Sequence, residues 1–217
     1  MALDTILGVI FDLDGVLVST DHCHYLGWKR MADEEGIPFD RAINERLRGV
    51  SRMESLSIVL EKAEKAYSQQ EKEAMAARKN AYYVELIGKL GREDILPGTA
   101  ETLKFLGERG VKMAIGSSSK NTPLILRQIG LEGAFDAVAD GNQISRSKPD
   151  PEVFLLAARL LRLPPAQCLV VEDADAGIEA AAAAGMRSLG VGFAAANPTA
   201  TYRAQSLAQV DWNEILG

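Results

Sequence analysis

Two aspartates one residue apart, Asp12 and Asp14, follow an apolar run from Ile6 to Phe11 and precede Gly15. Three later stretches carry groups that suit them. Ser117-Ser118-Ser119 offers hydroxyls and backbone N–H groups, Lys148 precedes a proline, and Glu172-Asp173 closes a second apolar run, Cys168 to Val171. Each stretch alone is ordinary: a polar turn, a serine loop, a solvated lysine, a helix-capping acid pair. Together they form the set that phosphoryl transfer needs. Carboxylates gathered in one cleft repel one another and invite a hard divalent cation, most naturally Mg²⁺, which takes oxygen ligands and leaves room for a phosphate. A lysine neutralises the transferring group, and hydroxyls with helix N-terminal amides hold its remaining oxygens. With no Gly-Lys-Thr phosphate loop and no serine–histidine pair, a carboxylate is the obvious covalent acceptor, with the second aspartate as general acid and base.

The elements that must bring these residues together follow from the hydrophobic pattern. Ile6–Phe11, 111–115, 137–139, 168–171 and 188–191 read as buried strands, separated by helical patterns over 99–109, 121–129, 151–161 and 174–184. Strand–helix alternation of this kind implies a parallel sheet with right-handed crossovers and helices on both faces, a doubly wound α/β fold. Ligands bind outside the carboxyl ends of such strands, where all four stretches fall. Between the first strand and the rest, residues 18–91 show helical patterns and no strand. Expected helices cover 22–35, 41–47, a segment opened by the capping box Ser51/Glu54, and a long one opened by Ser68/Glu71. The expected organisation is therefore a core of residues 1–17 and 92–217 carrying an all-helical cap domain, residues 18–91.

In the long cap helix, Met75, Tyr83, Leu86 and Leu90 form a buried stripe, and Lys79 falls inside it. A lysine there is either a snorkelling chain that reaches water or a cation with an anionic partner. Arg52 starts the neighbouring helix beside Gly49, with a fork suited to phosphate. His24 and Trp28 share one helix face four residues apart.

The chain has 217 residues, a net charge of −6 and two cysteines, Cys23 and Cys168. That balance argues against nucleic acid or an anionic membrane as partner, and two distant cysteines give no disulfide framework and no metal spacing. The first residues lack the basic stretch of a signal peptide and no run is long enough to span a bilayer, so a cytoplasmic monomer acting on a small molecule is expected.

The four stretches resemble the motifs of the haloacid dehalogenase-like superfamily of phosphoryl-transfer enzymes, and the inserted helices occupy the cap position of its β-phosphoglucomutase-like branch. Thr20, His24 and Trp28, then Leu47-Arg48-Gly49-Val50-Ser51-Arg52, then Arg78-Lys79-Asn80, are similar to that branch's cap signature, as are Ser117-Ser118-Ser119-Lys120-Asn121 and Ser147-Lys148-Pro149 in the core. The resemblance implies Asp12 as nucleophile and Asp14 as general acid/base. It implies Mg²⁺ held by Asp12, the Asp14 backbone carbonyl, Glu172 and Asp173, and the transferring phosphoryl group held by Ser117 and Lys148. Thr20, His24, Trp28, Gly49, Val50, Ser51, Arg52, Lys79, Ser118, Ser119, Lys120 and Asn121 would bind or enclose a phosphosugar. The implied activity interconverts β-D-glucose 1-phosphate and D-glucose 6-phosphate through glucose 1,6-bisphosphate. A sugar-phosphate phosphatase on the same scaffold, and an idle phosphosugar-binding protein, are the alternatives. Val18-Ser19 and Ala174 depart from the branch's pattern.

Overall fold

In a computed structural model, residues 5–48 and 50–217 are described. Six parallel strands form one sheet in the order β3-β2-β1-β4-β5-β6, with β1 (Gly8–Phe11), β2 (Lys112–Gly116), β3 (Ala137–Ala139), β4 (Cys168–Glu172), β5 (Arg187–Gly190) and β6 (Tyr202–Arg203). Strand β1 is central and wholly buried, which is why it reads as an unbroken apolar run. Phe11 pairs with Ile115 on one side and Val171 on the other, so Asp12 and Glu172 emerge side by side one residue later.

The sheet is covered on both faces. One face packs Ile10, Ala114, Val170 and neighbours against α7 (Glu152–Leu161) and α8 (Asp175–Ala183). The other packs Val9, Phe11, Leu169 and Val171 with residues from α5 (Thr99–Glu108), α6 (Thr122–Gln128) and α9 (Trp212–Leu216). This is the doubly wound α/β architecture expected. Strand β6 was not expected from the pattern: two residues, half-buried and exposed, carry no periodicity, and pairing to β5 defines them.

The helical segment comprises α1 (Asp21–Glu34), α2 (Arg41–Glu45), α3 (Arg52–Leu60) and α4 (Gln69–Ile87), with no strand among its described residues. It has its own apolar cluster around Trp28, Met31, Leu56, Val59 and Met75. Both capping boxes form: Ser51 and Ser68 each accept from the N3 amide, while Glu54 and Glu71 reach back to the cap amide. Such caps are worth about 1 kcal/mol each and pin where α3 and α4 begin. Helix α4 ends at Ile87, earlier than the stripe to Leu90 suggests, and Tyr83 and Ile87 bury into the core cluster rather than the cap's own. The two chain passages into the cap run together: Leu96 N–H donates to the Leu17 carbonyl at 2.9 Å, and Val18 bridges Ile95.

Candidate active site

The carboxyl ends of the strands open into a cavity of about 860 Å³ between the sheet edge and the helical segment. Asp12, Glu172 and Asp173 each bring a carboxylate oxygen within 4.8 Å of the others. Lys148, 3% exposed, donates through Nζ to both Asp12 Oδ1 and Glu172 Oε1. The loop after β3 thus delivers its lysine into the carboxylates of β1 and β4, and the solvated-lysine reading of Lys148 is set aside. Glu172 Oε2 accepts from the Asp173 and Ala174 amides at 3.0 and 3.1 Å, which fixes its carboxylate.

Backbone shape makes room for this cluster. Gly15 has φ +82°, and a Cβ there would run into the Asp173 carboxylate. A Cβ at Gly177 would run into the Glu172 carboxyl group. The Asp14 carboxylate stands apart from the trio. It accepts from Thr20 Oγ1 at the start of α1, because the tight turn at 13–18 swings Asp14 away from the strand direction. The Asp14 carboxylate is therefore not one of the clustered metal-type ligands.

Electrostatics follow from crowding. Burial, reinforced by the Asp12 charge, raises the Asp14 pKa to about 7, against the lowering effect of the Thr20 hydrogen bond. Burial and the neighbouring Glu172 and Asp12 charges raise Asp173 to about 8. Burial likewise raises Glu172, with Lys148 opposing it. Burial works against the Lys148 ammonium, but Asp12 and Glu172 outweigh it and hold its pKa above the ordinary lysine range. Four acids against one lysine leave the centre acidic. All-oxygen donors in a glycine-lined cradle fit a hard divalent cation such as Mg²⁺.

The core loop after β2 faces the same cavity. Ser119 N–H donates to Ser117 Oγ at 3.2 Å and Asn121 N–H to Ser119 Oγ at 3.2 Å, a tight series leading into α6. Ser118 Oγ is buried with no hydrogen-bond partner. Lys120 and Asn121 also line the cavity, and Asn121 Nδ2 donates across to Asn80 Oδ1 of α4 at 3.0 Å.

From above, α1 and α4 contribute the cap groups. Lys79 is 2% exposed, so its snorkelling reading falls. Its Nζ lies 3.0 Å from His24 Nδ1, and 4.8 and 4.6 Å from the ring centroids of Trp28 and Tyr83. It makes no ion pair of 4 Å or less with a described carboxylate. Burial first, then Arg52, lowers its pKa to about 7, with Asp14 opposing. Burial, with Lys79 and Arg52, lowers His24 well below its usual value, so the imidazole is neutral. Gly27 lets α1 approach this group: a Cβ there would meet Lys79 Cε at 3.3 Å.

Every site residue expected from sequence lines this one cavity, save Gly49, which lies outside the described residues. Sequence reasoning missed Asp21, Asn44, Tyr83 and Phe193, which also line it, as does Asn80 of the cap signature. Tyr83 was readable as buried from its place in the α4 stripe, but not as a wall of the site.

A carboxylate–lysine centre at the carboxyl edge of a doubly wound sheet, roofed by inserted helices, defines a class of phosphoryl-transfer scaffold. Residues 6–185 match the haloacid dehalogenase-like hydrolases, and the chain belongs to that family. It is 47% identical over 186 residues to a β-phosphoglucomutase of Bacillus subtilis (strain 168), spanning 85% of this chain and 82% of that protein. It is 34% identical over 212 residues to a phosphorylated carbohydrates phosphatase of Thermotoga maritima, 96% of this chain and 95% of the other. A crystal structure of β-phosphoglucomutase from Clostridium difficile superposes with a TM-score of 0.91 at 40% identity, covering 97% of this chain and 95% of that one.

Proposed function

We propose that the chain is a Mg²⁺-dependent β-phosphoglucomutase that interconverts β-D-glucose 1-phosphate and D-glucose 6-phosphate through an aspartyl phosphate and glucose 1,6-bisphosphate. One observation carries the reading beyond the family: a buried cap lysine, Lys79, without a carboxylate partner, beside Arg52 and facing the carboxylate–lysine centre across the cavity. A buried cation without an anion is costly unless an anionic ligand completes it. A mutase must grip a second, distal phosphate while the first is transferred, and Lys79 with Arg52 supplies that grip.

In this reading residues 18–91 are a cap and residues 1–17 with 92–217 the core; the paired passages at Leu17–Val18 and Ile95–Leu96 support a boundary there. Asp12 attacks one phosphorus of glucose 1,6-bisphosphate, the bond from that phosphorus to the sugar oxygen breaks, and that oxygen takes its proton from Asp14, leaving a glucose monophosphate. In the second half-reaction Asp14 takes the proton of the free hydroxyl of the other glucose monophosphate, which attacks the aspartyl phosphate, frees Asp12 and restores glucose 1,6-bisphosphate. A pKa of about 7 suits Asp14 to both directions near neutral pH. Lys148, already bridging Asp12 and Glu172, holds a transferring phosphoryl oxygen, and Ser117 with the adjoining amides holds another. Asp12, Glu172 and Asp173, with the Asp14 backbone carbonyl, would hold Mg²⁺, which adds positive charge beside the phosphoryl group. His24 braces Lys79. Trp28, Val50, Ser51 and the 118–121 segment enclose the sugar.

The resemblance to the Thermotoga phosphatase favours a second reading, hydrolysis of sugar phosphates at the same centre. Both readings require phosphoenzyme at Asp12. Brief exposure to glucose 1,6-bisphosphate and Mg²⁺ should label the wild-type protein with one phosphate, seen by intact-protein mass spectrometry, and leave Asp12→Asn unlabelled. Labelling of Asp12→Asn would refute the assignment.

A further inference from the structure

The cap touches the core at one place that the proposed chemistry does not use, between Arg48 and Phe193. After β5 the chain makes a 3₁₀ turn, Gly192–Ala196, at the cavity rim. The turn is tied to the acidic cluster: Ala194 N–H donates to the Asp173 carbonyl at 2.9 Å, and the Gly192 position lies against the Asp173 side chain. From it projects Phe193, 66% exposed, more than any other large hydrophobic side chain among the described residues. The guanidinium carbon of Arg48, from the loop between α2 and α3, sits 3.6 Å from the centre of the Phe193 ring.

Arg48 is held over the ring by its own segment. It pairs at 3.4 Å with Asp21, which also accepts from Asn44 Nδ2 at 3.3 Å, and its Nε is buried with no partner. A phenylalanine left this far out of a core gains little from hydrophobic burial; its contact is with a cation from the other half of the molecule. The Asn80–Asn121 hydrogen bond joins cap to core elsewhere on the same cavity. Phe193 and Arg48 make the corresponding contact beside Asp173.

We propose that Phe193 is the core's seat for the cap's Arg48, and that this seat sets how completely the cap keeps water from the phosphoryl group at Asp12. The inference rests on the phosphoryl-transfer reading above. Water that enters attacks phosphorus, the bond to the Asp12 carboxylate oxygen breaks, and inorganic phosphate leaves with the carboxylate restored. The seat therefore tunes the partition between transfer to a sugar hydroxyl and loss to water, so Phe193 is a positioning residue rather than a catalytic one.

An exposed cation–π contact shifts an equilibrium by roughly two- to fivefold, and that is the size of effect expected. In the full-length protein with Mg²⁺, Phe193→Ala should raise amide hydrogen exchange across residues 50–60 by roughly two- to fivefold. With β-glucose 1-phosphate and a trace of glucose 1,6-bisphosphate, free phosphate released per glucose 6-phosphate formed should rise by a similar factor. Phe193→Trp should restore both, and the melting temperature should hold, because the ring packs into no core. Unchanged exchange in Phe193→Ala overturns the seat, as does a raised ratio that Phe193→Trp fails to restore. If exchange rises but the wild type forms no glucose 6-phosphate, the seat stands and the mutase reading falls.

Discussion

Replacing Lys79 with methionine should stabilise the protein while removing its grip on a distal phosphate. Methionine keeps the unbranched apolar stem of the side chain, one atom shorter, and deletes the charge. In the folded protein the lysine titrates near 7 against 10.5 ordinarily, because burial and Arg52 disfavour the ammonium. At pH 7 that displacement corresponds to about 4 kcal/mol of lost stability, at about 1.4 kcal/mol per unit. Losing the cation–π contacts with Trp28 and Tyr83 gives back about 1 kcal/mol. Leaving His24 Nδ1 without its partner costs about 1 more. The net expectation is a variant about 2 kcal/mol more stable at pH 7, or roughly 4–8 °C in melting temperature for a chain of this size.

The sign with pH is fixed. A lysine whose folded pKa is depressed penalises folding fully only below pH 7, nearly so at pH 7, and the penalty fades as pH rises toward 10.5, where the unfolded lysine also loses its proton. The advantage of Lys79→Met should therefore shrink to nothing by about pH 9.5. Urea unfolding followed by tryptophan fluorescence at pH 7, 8 and 9.5 measures the stabilities, and calorimetric titration with glucose 1,6-bisphosphate measures the grip. Affinity should fall at least tenfold, the weight of a charge-assisted hydrogen bond. A variant less stable than wild type at pH 7, a gap unchanged at pH 9.5, or unaltered bisphosphate affinity would each refute the reasoning.

Lys148→Ala strips the partner from two buried carboxylates and should destabilise the metal-free protein by about 3–5 kcal/mol, read by urea denaturation; a loss below 1 kcal/mol contradicts the burial argument. Tyr83→Phe removes a buried hydroxyl whose neighbour, the Thr20 hydroxyl, already donates to Asp14, so stability should change by no more than about 1 kcal/mol, and a larger loss would contradict that reading. Mg²⁺ should raise the melting temperature more at pH 8 than at pH 6. The raised carboxyls of the ligand set, Glu172 at about 7 and Asp173 at about 8, keep protons in the fold that the unfolded chain releases at about pH 4, so metal-free stability falls as pH climbs from about 4 to about 8 and cation binding must first displace those protons. Equal gains at both pH values would count against these residues as ligands.

Much of this architecture was legible because its determinants are local. Strand β1 is buried on both faces and reads as an apolar run, the capping boxes at Ser51 and Ser68 mark helix starts, and a parallel sheet puts the groups after β1, β2, β3 and β4 on one edge. Lys79 stood out as a charge inside an apolar stripe. What stayed hidden depends on contacts between distant residues. Phe193 in an alanine-rich turn gives no sign of meeting Arg48, 145 residues earlier. Nothing in Asp12-Leu13-Asp14-Gly15 shows that Asp14 turns to Thr20 while Asp12 meets Lys148. Strand β6 exists through its pairing with β5 alone. Helix ends moved by one to three residues, as at Ile87, where Gly88 is the cap residue and the helix stops short of Leu90.

The central claim is that phosphate passes from Asp12 to a sugar hydroxyl and not to water. A paired assay tests it directly: β-glucose 1-phosphate, Mg²⁺ and a trace of glucose 1,6-bisphosphate, with glucose 6-phosphate followed through a coupled dehydrogenase and free phosphate followed in parallel. Fast formation of glucose 6-phosphate with little free phosphate is the predicted result. Free phosphate without glucose 6-phosphate would contradict the claim and make the chain a sugar-phosphate phosphatase.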